Sequence, residues 1–263
     1  MPSLDELSRP SIAGDQFAFD VPGDWKQGRG LFGGLGIAAM IRAIETRVAD
    51  PSRKVRTVTA ELAGPVLSGA SEISVEILRA GNSVTVARAV LSQEDGVKTH
   101  VVAVLAASRK ATTDGWQKLE PPTVKPWAEL APIVWSPAFP EFAQHMEYRL
   151  AQGVPGTQQE PTCIGYVRPR DPGEARDAAY IAALADAWWP AALVAFKAMR
   201  PIATITFTLE IVNDLDGLPA DEPLLYRGTV PVMHDGYFQE ERELWGSDGR
   251  LVARNHQTFA VIA

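Results

Sequence analysis

Asp186 is the single charged side chain in the segment YIAALADAWWPAALVAF, Tyr180 to Phe196. A carboxylate among apolar neighbours is desolvated, so it must find donors, reach a water-lined cleft or give up its charge. Pro190 lies four residues downstream and has no amide to offer the carbonyl of residue 186, so a helix must end, kink or restart there. Asp186 is therefore either a helix-ending residue or, together with the freed carbonyl, part of a polar cleft; the two readings are compatible. The last strand-like run, RLVARNHQTFAVI, holds a second polar intrusion. Period-two alternation puts Leu251, Ala253, Asn255, Gln257, Phe259 and Val261 on one face and Val252, Arg254, His256, Thr258 and Ala260 on the other. Gln257 thus faces the mainly apolar side, where its amide needs partners, from the backbone or from a site shared with Asp186. A positioned carboxylate next to water is a general base, and an amide beside it can align that water.

Other chemistries find little support. No G-x-S-x-G elbow occurs, which disfavours a serine nucleophile. His100, His145, His234 and His256 are scattered without ligand spacing, and Cys163 is the one cysteine, so no disulfide, multi-cysteine metal site or other metal centre is expected. A net charge of −7 gives no broad cationic surface for nucleic acid. The N-terminal run MPSLDELSRPSIAGDQ carries early acids and no apolar core, and no proline-free stretch reaches the roughly 20 apolar residues of a membrane span. A cytoplasmic location is expected.

The elements that must position these residues recur. GGLGIAAMIRAIETRV has helical spacing and opens on Gly33 and Gly34, whose lack of a side chain permits close backbone approach and leaves helix-start amides free. Strand-like runs RTVTAEL, SEISVEIL, SVTVARAVL and KTHVVAVLA follow, with the hairpin signal Asp95-Gly96 before the last. The second half repeats this order: an apolar helix over about 176–198, then ATITFTLEI, PLLYRGTV, YFQEERELW, the turn Asp248-Gly249 and RLVARNHQTFAVI. Between them PPTVKPWAELAPIVWSPAFP packs prolines with Trp127, Trp135 and Phe139, which predicts a connection lying against the halves. The expected plan is α+β, a tandem or double hotdog in which each half is an antiparallel sheet on a central helix. Its parts are an N-terminal hotdog at 1–112, a linker at 113–145 and a C-terminal hotdog at 146–263. The first helix has no acid at the place of Asp186, so one working centre per chain is expected.

GRGLFGG with the small-residue helix after it, RAGNSVTVARAVLSQEDG, LAD at 184–186, IATI at 202–205 and GRLVARNHQ at 249–257 occur in this order. In these motifs the chain resembles the TesB-like type II acyl-CoA thioesterases. The resemblance implies hydrolysis of acyl-CoA to acid and CoA, with no cofactor beyond the CoA of the substrate, and a homodimer. It assigns the water-activating carboxylate to Asp186, a hydroxyl to Thr204 and an amide to Gln257. Arg79 and Arg88 match the family's R-x-G-x-S…R stretch and are candidates for CoA phosphate, against ordinary solvated strand arginines. Gly33 and Gly34 are candidate oxyanion donors of a vestigial first-half site, or simply a tight helix entry. Trp188 either packs or floors an acyl tunnel. Alternation groups Thr204 with Thr206 and Thr208, away from the apolar face, so either the strand begins after it or a bulge re-aims it. After IATI the family continues with an aspartate, a histidine and a small hydroxyl residue, whereas this chain has TFT, in which Thr208 alone keeps the hydroxyl. Two rival readings are an enoyl-thioester hydratase or dehydratase, which would pair a histidine with Asp186, and a non-catalytic acyl-thioester-binding protein.

Overall fold

Alternating side chains and the two Asp-Gly turns build a large antiparallel sheet. A computed structural model of the protein describes residues 2–109, 115–219 and 221–262. The first half comprises α1 (Leu4–Leu7), β1 (Ser11–Ala13), β2 (Gln16–Val21), the short hairpin β3 (Lys26–Gln27) and β4 (Gly30–Leu31), α2 (Gly33–Val48), β5 (Arg53–Leu62), β6 (Gly69–Ala80), β7 (Val84–Gln93) and β8 (Gly96–Ala107). The second comprises β9 (Met146–Gln152), β10 (Thr162–Pro169), α3 (Ala178–Asp186), α4 (Ala192–Ala195), β11 (Ile202–Ile211), β12 (Leu224–His234), β13 (Tyr237–Trp245) and β14 (Leu251–Val261). Gly96 and Gly249 have positive φ, 116° and 77°, as the turns at those points require.

Twelve strands form the main sheet in the order β1-β2-β6-β7-β8-β5-β11-β14-β13-β12-β10-β9. Reading outward from the β5/β11 seam, the two halves repeat the same sequence of strands. At the seam Thr59 faces Thr208, with Val58 opposite Leu209 and Ala60 opposite Phe207. This register is a pseudo-two-fold, and it converts two sheet edges that would otherwise be open to aggregation into an internal pair. The double-hotdog plan expected from the repeat is the observed one.

Helices α2 and α3 lie antiparallel on the inner face. The C-terminal end of α3 meets the N-terminus of α2 through Asp186 and Gly34, and the far ends meet through Arg42 and the α3 N-cap residue Asp177. Leu35, Ile37, Ala39, Met40, Ile41 and Ile44 of α2 are buried, as are Ile181, Ala182, Ala183 and Leu184 of α3. Small residues on both helices let the backbones approach closely, which is how a side chain at the end of one reaches an amide at the start of the other.

Two features differ from the sequence expectation. The helix expected over 176–198 stops at Asp186, breaks across Pro190 and resumes for one turn at α4. The outermost strands β1, β2, β9 and β10 were not anticipated, although Phe17, Phe19 and Val21 alternate cleanly with exposed neighbours in β2. The connection does lie against both halves: Arg149 stacks its guanidinium over Trp127 at 4.3 Å and donates to the Trp127 and Leu130 carbonyls, while Phe142 stacks on Phe32 and His145 on Trp25. The proposed boundary between 112 and 113 falls outside the described residues.

Candidate active site

Asp186 sits where the two halves meet. Gly34 and Gly33 explain how. A Cβ on Gly34 would come within 2.6 Å of the Phe32 ring and 3.0 Å of the Ala183 Cα, so a side chain there would push the helices apart. With glycine present, the Gly34 amide donates to Asp186 Oδ2 at 2.8 Å. The carboxylate therefore rests on the positive end of the α2 dipole. A Cβ on Gly33 would lie 3.0 Å from the same Oδ2, so glycine leaves open a small space against that oxygen. The Gly33 amide itself donates no hydrogen bond among the described residues.

The other carboxylate oxygen faces the sheet. Gln257 Nε2 donates to Asp186 Oδ1 at 3.1 Å and to Asn255 Oδ1 at 2.9 Å. Asn255 in turn donates from Nδ2 to the Thr208 carbonyl at 2.8 Å, which fixes its own orientation. Two acceptors on one side settle the Gln257 amide as well, and turn its Oε1 away from both. That Oε1 is fully buried and has no donor among the described residues. Buried acceptors are almost always satisfied, so this atom is set to accept a hydrogen bond from something other than the protein.

Two charged residues on β13 complete the surroundings. Arg242 Nη1 lies 3.8 Å from Asp186 Oδ1 and donates to the Ala185 carbonyl at 2.9 Å, while its Nε donates to Glu240 Oε1 at 2.9 Å. Glu240 accepts from Tyr226 Oη and from the Ala191 amide, both at 2.9 Å. Tyr148 Oη donates to the Ala187 carbonyl at 2.9 Å. The Ala185 and Ala187 carbonyls and the Ala191 amide at the helix break are thus satisfied by side chains from the sheet. Burial pushes the Asp186 carboxyl above the usual range; Arg242, the Gln257 hydrogen bond and the Gly34 amide pull it back, and Glu240 pushes it further up. A carboxylate raised yet still held by donors is suited to taking a proton from a bound water.

The sequence profile described as the acyl-CoA thioesterase N-terminal domain matches residues 21–109, and that of the acyl-CoA thioesterase C-terminal domain matches residues 118–261. The chain belongs to the acyl-CoA thioesterase family. As such it is a thioester hydrolase. Among solved structures, a hot dog fold protein of unknown function from Alicyclobacillus acidocaldarius is 27% identical with a TM-score of 0.89, over 100% of this chain and 99% of that one. The TesB protein of Mycobacterium avium subspecies paratuberculosis shares the fold at 15% identity and TM-score 0.81, over 99% and 98% of the two chains. An acyl-CoA thioesterase II from Mycobacterium marinum does so at 16% identity and TM-score 0.77, also over 99% and 98%. No curated protein matches the sequence.

In this thioesterase the structure brings Asp186, Gln257, Gly33 and Gly34 together, so the glycine pair of the first half serves the carboxylate of the second. Thr204 reaches the inner face by a bulge. The β11/β14 register shifts between Thr204 and Thr206, leaving Ile205 unpaired and placing Thr204 opposite Phe259, which lies on the same face as Gln257. Its hydroxyl makes no hydrogen bond among the described residues. Of the TFT segment, Phe207 is buried directly across from Gln257, whereas Thr206 and Thr208 point outward. Trp188 is buried among Tyr148, Trp189 and Tyr226 and packs against Gly165. Arg79 and Arg88 are exposed on the outer face of the first-half sheet, with Arg88 paired to Glu76 at 2.6 Å, and the structure does not bring them to Asp186. Sequence reasoning missed Glu240, Arg242 and Asn255. Alternation in YFQEERELW, which sets Phe238, Glu240, Arg242 and Leu244 on one face, carried the signal for two of them.

Proposed function

We propose that the protein hydrolyses acyl-CoA by attack of a water molecule activated by Asp186. The observation that carries this reading is a buried carboxylate with open space against Oδ2 at Gly33, held on Oδ1 by a glutamine whose own Oε1 is buried with no donor among the described residues. A water there donates one proton toward Asp186 Oδ2 and the other toward Gln257 Oε1. As its oxygen bonds to the thioester carbon, Asp186 takes the first proton and the carbonyl oxygen becomes an oxyanion, stabilised by the free Gly33 amide and the α2 dipole. The tetrahedral intermediate collapses with cleavage of the C–S bond, and the proton on Asp186 passes to the departing thiolate. The acid and CoA-SH leave, and the carboxylate is regenerated. Thr204, on the same inner face, supports this reading as a further hydroxyl at the rim.

No histidine hydrogen-bonds Asp186 among the described residues, which favours hydrolysis over the hydration of an enoyl thioester. CoA is then part of the substrate and no separate cofactor takes part. No helix among the described residues is long and apolar enough to cross a membrane. Release of thiol from acyl-CoAs of several chain lengths, run beside an enoyl-hydration assay, tests the proposal. Thiol release without hydration is expected; hydration without thiol release, or neither, overturns it. We further propose a homodimer, which light scattering at 28.5 kDa across micromolar concentrations would exclude.

A further inference from the structure

Glu240 and Arg242 are more deeply buried than Asp186, with side chains 0% and 1% exposed. Burying a charge pair costs several kcal/mol per ion before any attraction is counted, so replacing one by apolar residues is often neutral or stabilising. The first half of this protein shows that the fold does not need it. The seam register makes Val58 the counterpart of Phe207 and Ala60 that of Leu209. Their partners on the next strand then correspond, Ala103 to Gln257 and Val101 to Asn255. One strand further out, Ala87 corresponds to Glu240 and Ala89 to Arg242. All four first-half residues are apolar and fully buried. The same sheet is thus built once with alanine and valine and once with a charged and amide network, and the network is the half that holds Asp186.

Its placement also has a direction. Arg242 holds the carbonyl of Ala185, the residue before Asp186, and Glu240 holds the amide of Ala191 on the far side of Pro190. The pair spans the helix break and fixes the backbone from which the Asp186 side chain projects. Arg242 presents its charge to Asp186 Oδ1, while Glu240, which also accepts from the Tyr226 hydroxyl, holds Arg242 from behind.

We propose that Glu240 and Arg242 are the positioning residues of the reaction, Arg242 keeping Asp186 aligned and negatively charged, and Glu240 restraining how much of the Arg242 charge Asp186 feels. This rests on Asp186 being the base. The groups facing Asp186 are the Gly34 amide on α2, Gln257 on β14, Arg242 with Glu240 behind it on β13, and Tyr148 on β9, whose phenol is pushed up by burial and by the Asp186 charge. Tyr148 stays neutral over the working range, so Arg242 and Glu240 are the two charges that can move the titration of Asp186.

The test is the acidic limb of kcat/KM against pH, where activity rises as the base ionises. Arg242→Gln removes a cation close to Asp186 and is expected to move that limb up by roughly one pH unit or more. Glu240→Gln keeps an acceptor for Ala191 but frees the Arg242 charge, and is expected to move the limb down. Opposite shifts are the signature, since a purely structural pair would lower activity in both variants without displacing the limbs in opposite senses. Should Arg242→Gln not fold, the charge-neutral double variant Glu240→Gln/Arg242→Gln replaces it, with its limb also expected to move up because Arg242 is the nearer charge. Limbs that coincide with wild type, or move together in the two single variants, overturn the proposal. Asp186→Asn is measured alongside: if it hydrolyses like wild type the assignment of the base has failed, whereas an inactive Asp186→Asn with unmoved limbs refutes the role of the pair alone.

Discussion

The Gly34 amide donates to Asp186 Oδ2 at 2.8 Å across 152 residues of sequence. Neither half of the chain holds the candidate site alone, because the carboxylate comes from the second half and the helix N-terminus from the first. Asp186→Asn removes the basic group while nearly keeping the shape. Turnover is expected to fall by roughly 10² to 10⁴ fold, the usual contribution of a positioned base. Oδ1 and Oδ2 both accept hydrogen bonds, so one end of the carboxamide meets a donor with its own NH2; that loss of about 1 kcal/mol is offset by relief from burying a charge. The melting temperature should therefore change little. A folded Asp186→Asn protein with wild-type hydrolysis would falsify the catalytic assignment.

Much of this was readable in the sequence, because the signals involved are local. Asp186 stood out as a charge in an apolar run, Gln257 as an amide on the apolar face of an alternating strand, and the repeat of helix and hairpins gave the architecture. Thr204 could not be settled, since one unpaired residue at Ile205 reverses the face of everything before it and no sequence pattern marks that insertion. The link between Gly34 and Asp186 was also beyond reach: it depends on two helices packing antiparallel, a tertiary fact. Alternation turns Glu240 and Arg242 inward, but charges in QEER look like an ordinary solvated strand until their buried face is known.

The two glycines at the start of α2 should separate by experiment. In Gly34→Ala the new methyl meets the Phe32 ring at 2.6 Å and helix backbone at 3.0 Å, so the helix pair must shift, at a cost of roughly 1–3 kcal/mol. In Gly33→Ala the methyl instead points at Asp186 Oδ2, into the space proposed for water. Its melting temperature should move less than that of Gly34→Ala while turnover falls at least as far. Full activity in a folded Gly33→Ala protein would place the water elsewhere.

Glu45 on α2 supplies a pH-linked test of stability distinct from catalysis. Burial, and then the charge of Asp177, push its carboxyl up to about 7 against the pull of Arg42, Lys54 and Arg9. A folded value above the unfolded one means that the native state holds the proton longer. The stabilisation is complete below the unfolded value of 4.5 and is lost as pH rises through about 7. Glu45→Gln should remove that loss and leave the protein more stable than wild type at pH 8, by an amount on the order of 1 kcal/mol, with no gain at pH 4. Thermal melts at the two pH values decide it, and a pH-independent difference would refute the linkage.

Hydrolysis by carboxylate-activated water needs neither a metal ion nor a thiol. Cys163 is fully buried and burial raises its thiol well above the ordinary range, which makes it a poor nucleophile. Turnover should survive exhaustive chelation and treatment with an alkylating reagent. Activity lost on chelation and restored by one particular metal would overturn the scheme of water activation.

Gln257 gives the sharpest test of the shared water, because its two ends do different things. Its Nε2 holds Asp186 and Asn255, and its Oε1 is free. Gln257→Glu keeps the length and an oxygen at the Oε1 position but replaces the donor by a second buried carboxylate facing Asp186. Like charges at this distance cannot both ionise readily, so the acidic limb of the rate profile should move to higher pH. Gln257→Ala removes both ends and should lower turnover without adding charge. If Asp186 and Gln257 hold one water, the double variant Asp186→Asn/Gln257→Ala should be less impaired than the product of the two single effects, since the second change removes a partner of something already lost. Independent roles would instead multiply. Single-turnover rates for the four proteins of this cycle, with folding checked on the same samples, distinguish the two cases, and strict multiplicativity would separate Gln257 from the water that Asp186 activates.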